Sequence, residues 1–156
     1  MKRNLIITAI IISSLLFSSC ATGRRSSLTY IFHGPKRYSI VKTAQKYLGV
    51  RYRFGGTTPE GFDCSGYSSY VYRIHGMNLP HSAQQQYAKG RRVGIKKARP
   101  GDLVFFRISG WKISHVGIYL GDYRFIHAPS RGKSVCYEDI RKDYWRKRYA
   151  GTVSYF

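Results

Sequence analysis

The segment GFDCSGYSSYV, Gly61 to Val71, places a cysteine where the local pattern changes. Just before it, GGTTPEGF (Gly55 to Phe62) gathers three glycines and a proline into what must be a loop. After it, Tyr67, Val71 and Ile74 recur at helical spacing until Gly76. The pattern predicts a helix that begins at about Cys64. A thiol at the first turn of a helix lies next to unpaired backbone N–H groups and the positive end of the helix dipole, which favour an anion. A cysteine attacks a carbonyl efficiently as thiolate, and a free thiol with a pKa of ~8.5 is mostly protonated at neutral pH. Cys64 is therefore expected to have its pKa lowered, with the glycine-rich loop giving a substrate backbone room to approach.

Working outward, Ser39 followed by Ile40, Val41, Ala44, Tyr47 and Leu48, then Gly49, predicts a first helix with a capped start and an apolar face. Ser82 caps a shorter helix through Lys89, ended by Gly90. Beyond that point the pattern becomes β. Pro100-Gly101 turns into DLVFF, and HVGIYL, RFIHA, SVCY and AGTVSYF are short segments rich in β-branched and aromatic residues. Helices first and strands afterwards define an α+β fold, with N-terminal helices packed on a C-terminal antiparallel sheet. There is no repeat or heptad.

The thiol needs a proton acceptor. His115 opens the strand HVGIYL, and His127 stands late in the next one. Strand side chains alternate with period two, and opposed residues of a hairpin share a face. A two-residue turn at Gly121-Asp122 sets His127 opposite Val116, on the face away from His115. A three-residue loop, Gly121 to Tyr123, pairs Leu120 with Arg124 and Gly117 with His127, which brings the imidazoles diagonally together. An odd-numbered loop or a bulge is therefore predicted. In that register Gly117, Tyr119 and Phe125 accompany the histidines, Gly117 leaves room for His127, and Val116, Ile118, Leu120 and Ile126 form the opposite, apolar face. His115 is then the base, His127 the group that orients it, and both imidazoles face Cys64. His33, His75 and His81 are read as ordinary hydrogen-bonded histidines.

The N-terminus belongs to no core. Lys2 and Arg3 precede an apolar run from Leu5 to Phe17, then Ser18, Ser19 and Cys20, which reads as a secretory signal over residues 1–19. The run is shorter than the ~20 residues a spanning helix needs. Small residues before Cys20 resemble the bacterial lipobox, with Phe17 where that motif prefers Leu. Acylation of Cys20 by more than one chain implies stable membrane tethering. Ala21 in place of Asp points to the outer membrane, facing the periplasm. Residues 20–35 read as a lipidated tether with a reach of roughly 20 Å, and residues 36–156 as one domain expected to act as a monomer.

The chain has 156 residues, with 27 Lys plus Arg against 7 Asp plus Glu and a formal charge of +20, concentrated over Lys89 to Arg99 and Arg141 to Arg148. In an exported, lipid-anchored chain this field meets anionic wall polymer, lipid headgroups and substrate carboxylates rather than nucleic acid. Of the remaining cysteines, Cys64 and Cys136 have a disulfide as their alternative reading, and Cys136, between Val135 and Tyr137, reads as a strand residue.

YRFGG (Tyr52 to Gly56), GFDCSGYSSYV, LPHSAQQQ (Leu79 to Gln86), RPGDLVFF (Arg99 to Phe106) and HVGIYLGDYRFIHAPS (His115 to Ser130) together resemble the NlpC-type cysteine peptidases of bacterial cell walls. The resemblance runs from about Ser39 to Phe156. It implies a reduced papain-like fold with Cys64 as nucleophile, His115 as base and His127 as third polar residue. It also implies a role for the Tyr52 hydroxyl over the thiol, and for Asp63 and Ser65 in binding a free amino group of the stem peptide, with helix capping as the alternative for these two. The implied activity is hydrolysis of peptide bonds in peptidoglycan stems or cross-links, with no metal or cofactor. Most family members have Gly where this hairpin has Tyr123. The competing readings are an acyltransferase or amidase using the same thiol, and a noncatalytic cationic wall-binding lipoprotein.

Overall fold

The computed structural model describes residues 25–156, with side chains from residue 34 onward. The signal segment, Cys20 and the His33 side chain lie outside these described residues. Helix α1 spans Arg25–Gln45, β1 Thr57–Thr58, β2 Gly61–Phe62, α2 Cys64–Ile74 and α3 Ala83–Lys89. Then follow β3 Arg91–Val93, a 3-10 turn Ile95–Lys97, β4 Leu103–Phe106, β5 His115–Gly121, β6 Arg124–His127, β7 Cys136–Asp139, α4 Asp143–Arg146 and β8 Tyr149–Ser154. The strands β3 to β8 form one antiparallel sheet in the order β3-β8-β4-β5-β6-β7. This is the expected α+β arrangement of helices followed by sheet.

Both capped helices lie where the sequence puts them. Asp63 accepts from Gly66 N at the start of α2, and Ser82 accepts from Gln85 N at the start of α3. The first helix starts earlier than the Ser39 expected from the sequence, because helical backbone begins at Arg25 and continues through Gly34 and Pro35. Ser39 caps nothing. Its hydroxyl donates to Pro35 O at 2.9 Å, a bond to the preceding turn that satisfies it inside a helix. The helix still ends as read, with tight turns over Lys46 to Leu48 leading to Gly49 at φ +81.

The sheet separates two apolar layers. On one face Ile40 and Ala44 of α1 and Tyr67, Val71 and Tyr72 of α2 pack on Leu103, Phe105, Val116, Ile118, Ile126 and Val153. On the other, Val104, Phe106, Tyr119 and Phe125 are covered by Ile140 and Trp145. Full burial of side chains of this size contributes roughly 1.5–3 kcal/mol each. The buried tyrosine hydroxyls are satisfied, Tyr67 donating to Ala44 O and Tyr72 to Gly101 O. Gln86, fully buried, accepts from Ser68 Oγ, and its amide reaches Ser65 O, Ser69 Oγ and Pro80 O, which locks α3 to the first turns of α2.

Candidate active site

Cys64 is the first residue of α2, and the loop before it is held by its own backbone. Asp63 N donates to Gly56 O at 3.0 Å and Gly56 N to Arg53 O at 2.9 Å. A Cβ at Gly66 would overlap the carbonyl oxygen of Gly56 and crowd His81. The glycine two residues after Cys64 is thus what lets the loop close on the helix. Gly66→Ala is expected to destabilise the fold by about 1–3 kcal/mol through this overpacking, read as a lower urea midpoint; an unchanged midpoint would show that the loop yields freely.

Asp63 is fully occupied. Its Oδ1 accepts from Gly66 N at 2.7 Å and from Ser65 Oγ at 3.1 Å. Its Oδ2 accepts from Gly55 N at 3.1 Å and faces His81 Nε2 at 2.8 Å. Capping, the alternative reading for Asp63 and Ser65, is therefore a role that Asp63 performs in this structure. His81 is hydrogen-bonded as read, but its partner Asp63 flanks Cys64, which spacing alone did not indicate.

The histidine pair is formed. His115 Nε2 and His127 Nδ1 are 2.6 Å apart, both side chains are buried, and the rings meet edge to face. The predicted parity is reached by a bulge. Gly121 pairs with Arg124 around a two-residue turn, Asp122-Tyr123, and the register then shifts so that Tyr119 faces Phe125 and Ile118 faces Ile126. Continuing that register places Gly117 opposite His127. The predicted Leu120–Arg124 pair is replaced, because Leu120 is the residue bulged out. Asp122 and Tyr123 both take left-handed backbone, φ 45 and 58, and Tyr123 N donates to Tyr119 OH at 3.1 Å. The room at Gly117 serves Phe125, whose ring a Cβ there would strike.

The face shared by the histidines differs from the expectation. It is the Trp145 face, away from α1 and α2: Trp145 lies 5.6 Å from the His115 ring and 5.0 Å from that of His127. Alternation along β5 requires this, because Val116 and Ile118 already serve the helix side. Cys64 lies at the N-terminal end of β5, the strand that His115 opens. Its Sγ lies 4.0 Å from Ser114 O, and the Val116 N–H acts on it. Tyr52 is half-buried and close enough to Cys64 and Asp63 that both, after burial itself, raise its hydroxyl above the ordinary value. A cavity of about 480 Å³ opens at Tyr52, lined also by Arg51, Gly132, Lys133 and Ser134.

The thiol does not have the lowered pKa expected of a helix start. Burial, and next Asp63, push Cys64 up to about 11, against the opposing N–H groups of Val116, Ser65 and Cys64 itself. The carboxylate that caps the helix also cancels its positive end where the thiol stands. Burial, then His127, holds His115 well below the usual imidazole range, and burial, then Lys133, holds His127 at about 3. The substrate-free site is a neutral thiol beside two neutral imidazoles. The unfolded chain binds these protons below pH ~6.5 and the fold resists them, so stability is complete above that pH and is lost as pH falls toward the folded values. At ~1.4 kcal/mol per unit, His127 alone contributes a loss of about 3 kcal/mol by pH ~4.5. A fall in Tm between pH 7 and 4.5 that is smaller in His127→Asn is expected, and parallel curves for the two chains would contradict this assignment.

Cys64 and Cys136 are both free, so the alternative reading of a bridge between them fails. Among the described residues no group of His, Cys, Asp or Glu is placed to hold a metal ion, and no helix is long and apolar enough to cross a membrane. Of the two basic stretches, Lys89 to Arg99 lines a cavity of about 590 Å³ together with Arg37, Asp102 and Phe156. The second is largely paired locally: Arg141 with Asp139, Lys142 with Glu138 and Arg146 with Asp143.

A helix-borne thiol beside a strand-borne histidine pair defines a papain-like thiol site. Residues 49–154 match the NlpC/P60 family, and the chain belongs to it. It is 47% identical over 116 residues to the gamma-DL-glutamyl hydrolase of Bacillus subtilis, a match covering 72% of this chain and 28% of that protein. It is 36% identical over 135 residues to the probable endopeptidase NlpC homolog of Haemophilus influenzae, covering 86% and 68% of the two chains. The crystal structure of the NlpC/p60 domain of the peptidoglycan hydrolase SagA superposes with a TM-score of 0.67 at 35% identity, over 76% of this chain and 97% of that one. The chain thus spans under a third of the B. subtilis hydrolase and about two thirds of the H. influenzae protein.

Proposed function

We propose that the chain is a cysteine endopeptidase acting on peptide bonds of peptidoglycan stem peptides or cross-links. The observation that carries this reading is the His115–His127 pair at 2.6 Å, with Cys64 Sγ 4.0 Å from the carbonyl of Ser114, the residue just before His115. His127 holds one nitrogen of His115, which leaves Nδ1 to take the thiol proton as sulfur attacks the scissile carbonyl. The C–N bond then breaks, the amine leaves with the proton from His115, and a thioester remains on Cys64. Water, deprotonated by His115, hydrolyses it. Because the resting thiol is neutral, proton transfer and attack proceed together rather than from a preformed thiolate.

In this reading the Tyr52 hydroxyl donates to the developing oxyanion. Asp63 Oδ2 exchanges its contact with His81 for a free amino group of the stem peptide, with Ser65 beside it, while Oδ1 keeps the helix cap. Arg51 and Lys133, in the cavity at Tyr52, suit stem-peptide carboxylates. Residues 1–19 act as a signal and Cys20 carries lipid, tethering the domain to the outer membrane, facing the periplasm. The test is incubation of the purified chain with intact sacculi and separation of the released muropeptides. New products identify the bond, between D-Glu and the diamino acid or between D-Ala and the diamino acid. An unchanged muropeptide pattern would sink the peptidase reading in favour of an acyltransferase or of a noncatalytic wall-binding protein.

A further inference from the structure

His127 has two ring nitrogens, and the pairing with His115 uses only one. Strand β7 supplies the group at the other. His127 and Cys136 are directly opposed in the β6–β7 register, so their side chains share a face. Cys136 Sγ stands 3.7 Å from His127 Nε2. Three side chains on three neighbouring strands therefore form one hydrogen-bonded row, Cys136 to His127 to His115, ending beside the nucleophile.

Counting protons along the row settles its polarity. For His115 to act as base its Nδ1 must be bare, so its single proton is on Nε2. Only one proton fits in the 2.6 Å contact, so His127 Nδ1 accepts it. A neutral His127 then carries its own proton on Nε2, directed at Cys136 Sγ. In the opposite tautomer His127 would donate from Nδ1, His115 would hold its proton on Nδ1, and the base would be blocked. Which of the two imidazoles can accept the thiol proton thus depends on what His127 Nε2 meets.

We infer that Cys136 is a positioning residue for the peptidase reaction, its sulfur accepting the His127 Nε2–H and thereby holding both imidazoles in the productive tautomer. The inference rests on the triad reading above. The environment fits: His127 is 1% exposed, walled by Phe125 and Trp145 with ring centroids at 5.0 Å, so without the sulfur its N–H would be buried without a partner. Sulfur is a weak acceptor in general, but it is polarizable. It suits a donor that becomes more acidic as His115 takes up the proton from Cys64 and shares positive charge along the row. Cys136 itself stays a thiol, since burial, then Glu138, raises it above the ordinary value.

The test has two parts. In the wild-type chain, long-range 1H–15N correlation of the histidine rings is expected to show His127 protonated on Nε2 and bare at Nδ1. His127 protonated on Nδ1 would overturn the inference whether or not the chain proves to be a peptidase. On soluble muropeptides, Cys136→Ala is expected to lower kcat about tenfold at unchanged KM, with a mixed His127 tautomer in the same spectra. Cys136→Ser, which restores an acceptor, is expected to recover most of that loss. An Ala variant with wild-type kcat and an unchanged tautomer would reduce Cys136 to strand packing. A wild-type chain without activity would sink the peptidase reading and leave the tautomer decided by the spectra.

Discussion

Cys64→Ala is expected to lower the release of muropeptides from sacculi by about 10⁴-fold or more while leaving the fold intact. The size of the effect follows from covalent catalysis: without the sulfur there is no acyl-enzyme, and the histidine pair has no proton to take. Removing the nucleophile of such a unit costs about as much as removing all of its members. The structural cost is small for identifiable reasons. The thiol is neutral, its contact with Ser114 O is a long one of 4.0 Å, and alanine is at home in the first turn of a helix. Tm should stay within the scatter of ordinary surface substitutions, about 0.5 kcal/mol in stability. Residual activity within tenfold of the wild type, in a folded Ala variant, would remove Cys64 from the chemistry.

The second large effect lies away from the chemistry, where α1 meets the sheet. Arg37 reaches Asp102 Oδ1 at 2.7 Å, Ser154 Oγ at 2.9 Å and Pro100 O at 3.2 Å, and its guanidinium lies 4.1 Å from the centre of the Phe156 ring. Asp102 is 1% exposed, and its Oδ2 accepts from Arg99 N at 2.8 Å. One buried ion pair therefore joins the first helix to the start of β4 and the end of β8. Asp102→Ala leaves the guanidinium buried without its carboxylate, in a place where Arg37 Nε already has no hydrogen-bond partner among the described residues. The expected loss is about 3–5 kcal/mol in urea unfolding. Replacing both partners together, Arg37→Met with Asp102→Leu, should cost much less than Asp102→Ala alone, because no charge is then left to desolvate. A loss under about 1 kcal/mol for Asp102→Ala would mean that water reaches the pair.

How much of this was legible beforehand depended on range. Helix α3 is readable to the residue and the start of α2 to about Cys64, because Ser82, Gly90 and Asp63 act on N–H and C=O groups three or four positions away. The start of α1 was misread for the same reason. Ser39 carries a local cap signal, but its hydroxyl turned to the Pro35 carbonyl. Strand β3 was missed because Arg91 and Arg92 have no strand pattern of their own and are held there by pairing with Ser154 and Val153. Helix α4 was missed because its four residues are placed by Trp145 packing over Phe106 and the histidines.

By itself the sequence determined a cysteine at a helix start, the α+β order of elements, and the requirement that His115 and His127 share a face, since period-two alternation admits only one parity. Tertiary structure decided the rest. It chose a bulge at Leu120 rather than a longer loop, because the turn Asp122-Tyr123 could take left-handed backbone with Tyr119 OH in support. It raised the thiol where a local argument lowered it, because burial and the capping Asp63 outweigh a helix terminus. It also set Cys136 against His127, nine residues apart in sequence, through the register of β6 on β7. A charge state depends on everything packed around the group, and a cross-strand partner depends on register. Neither can be read from neighbours along the chain.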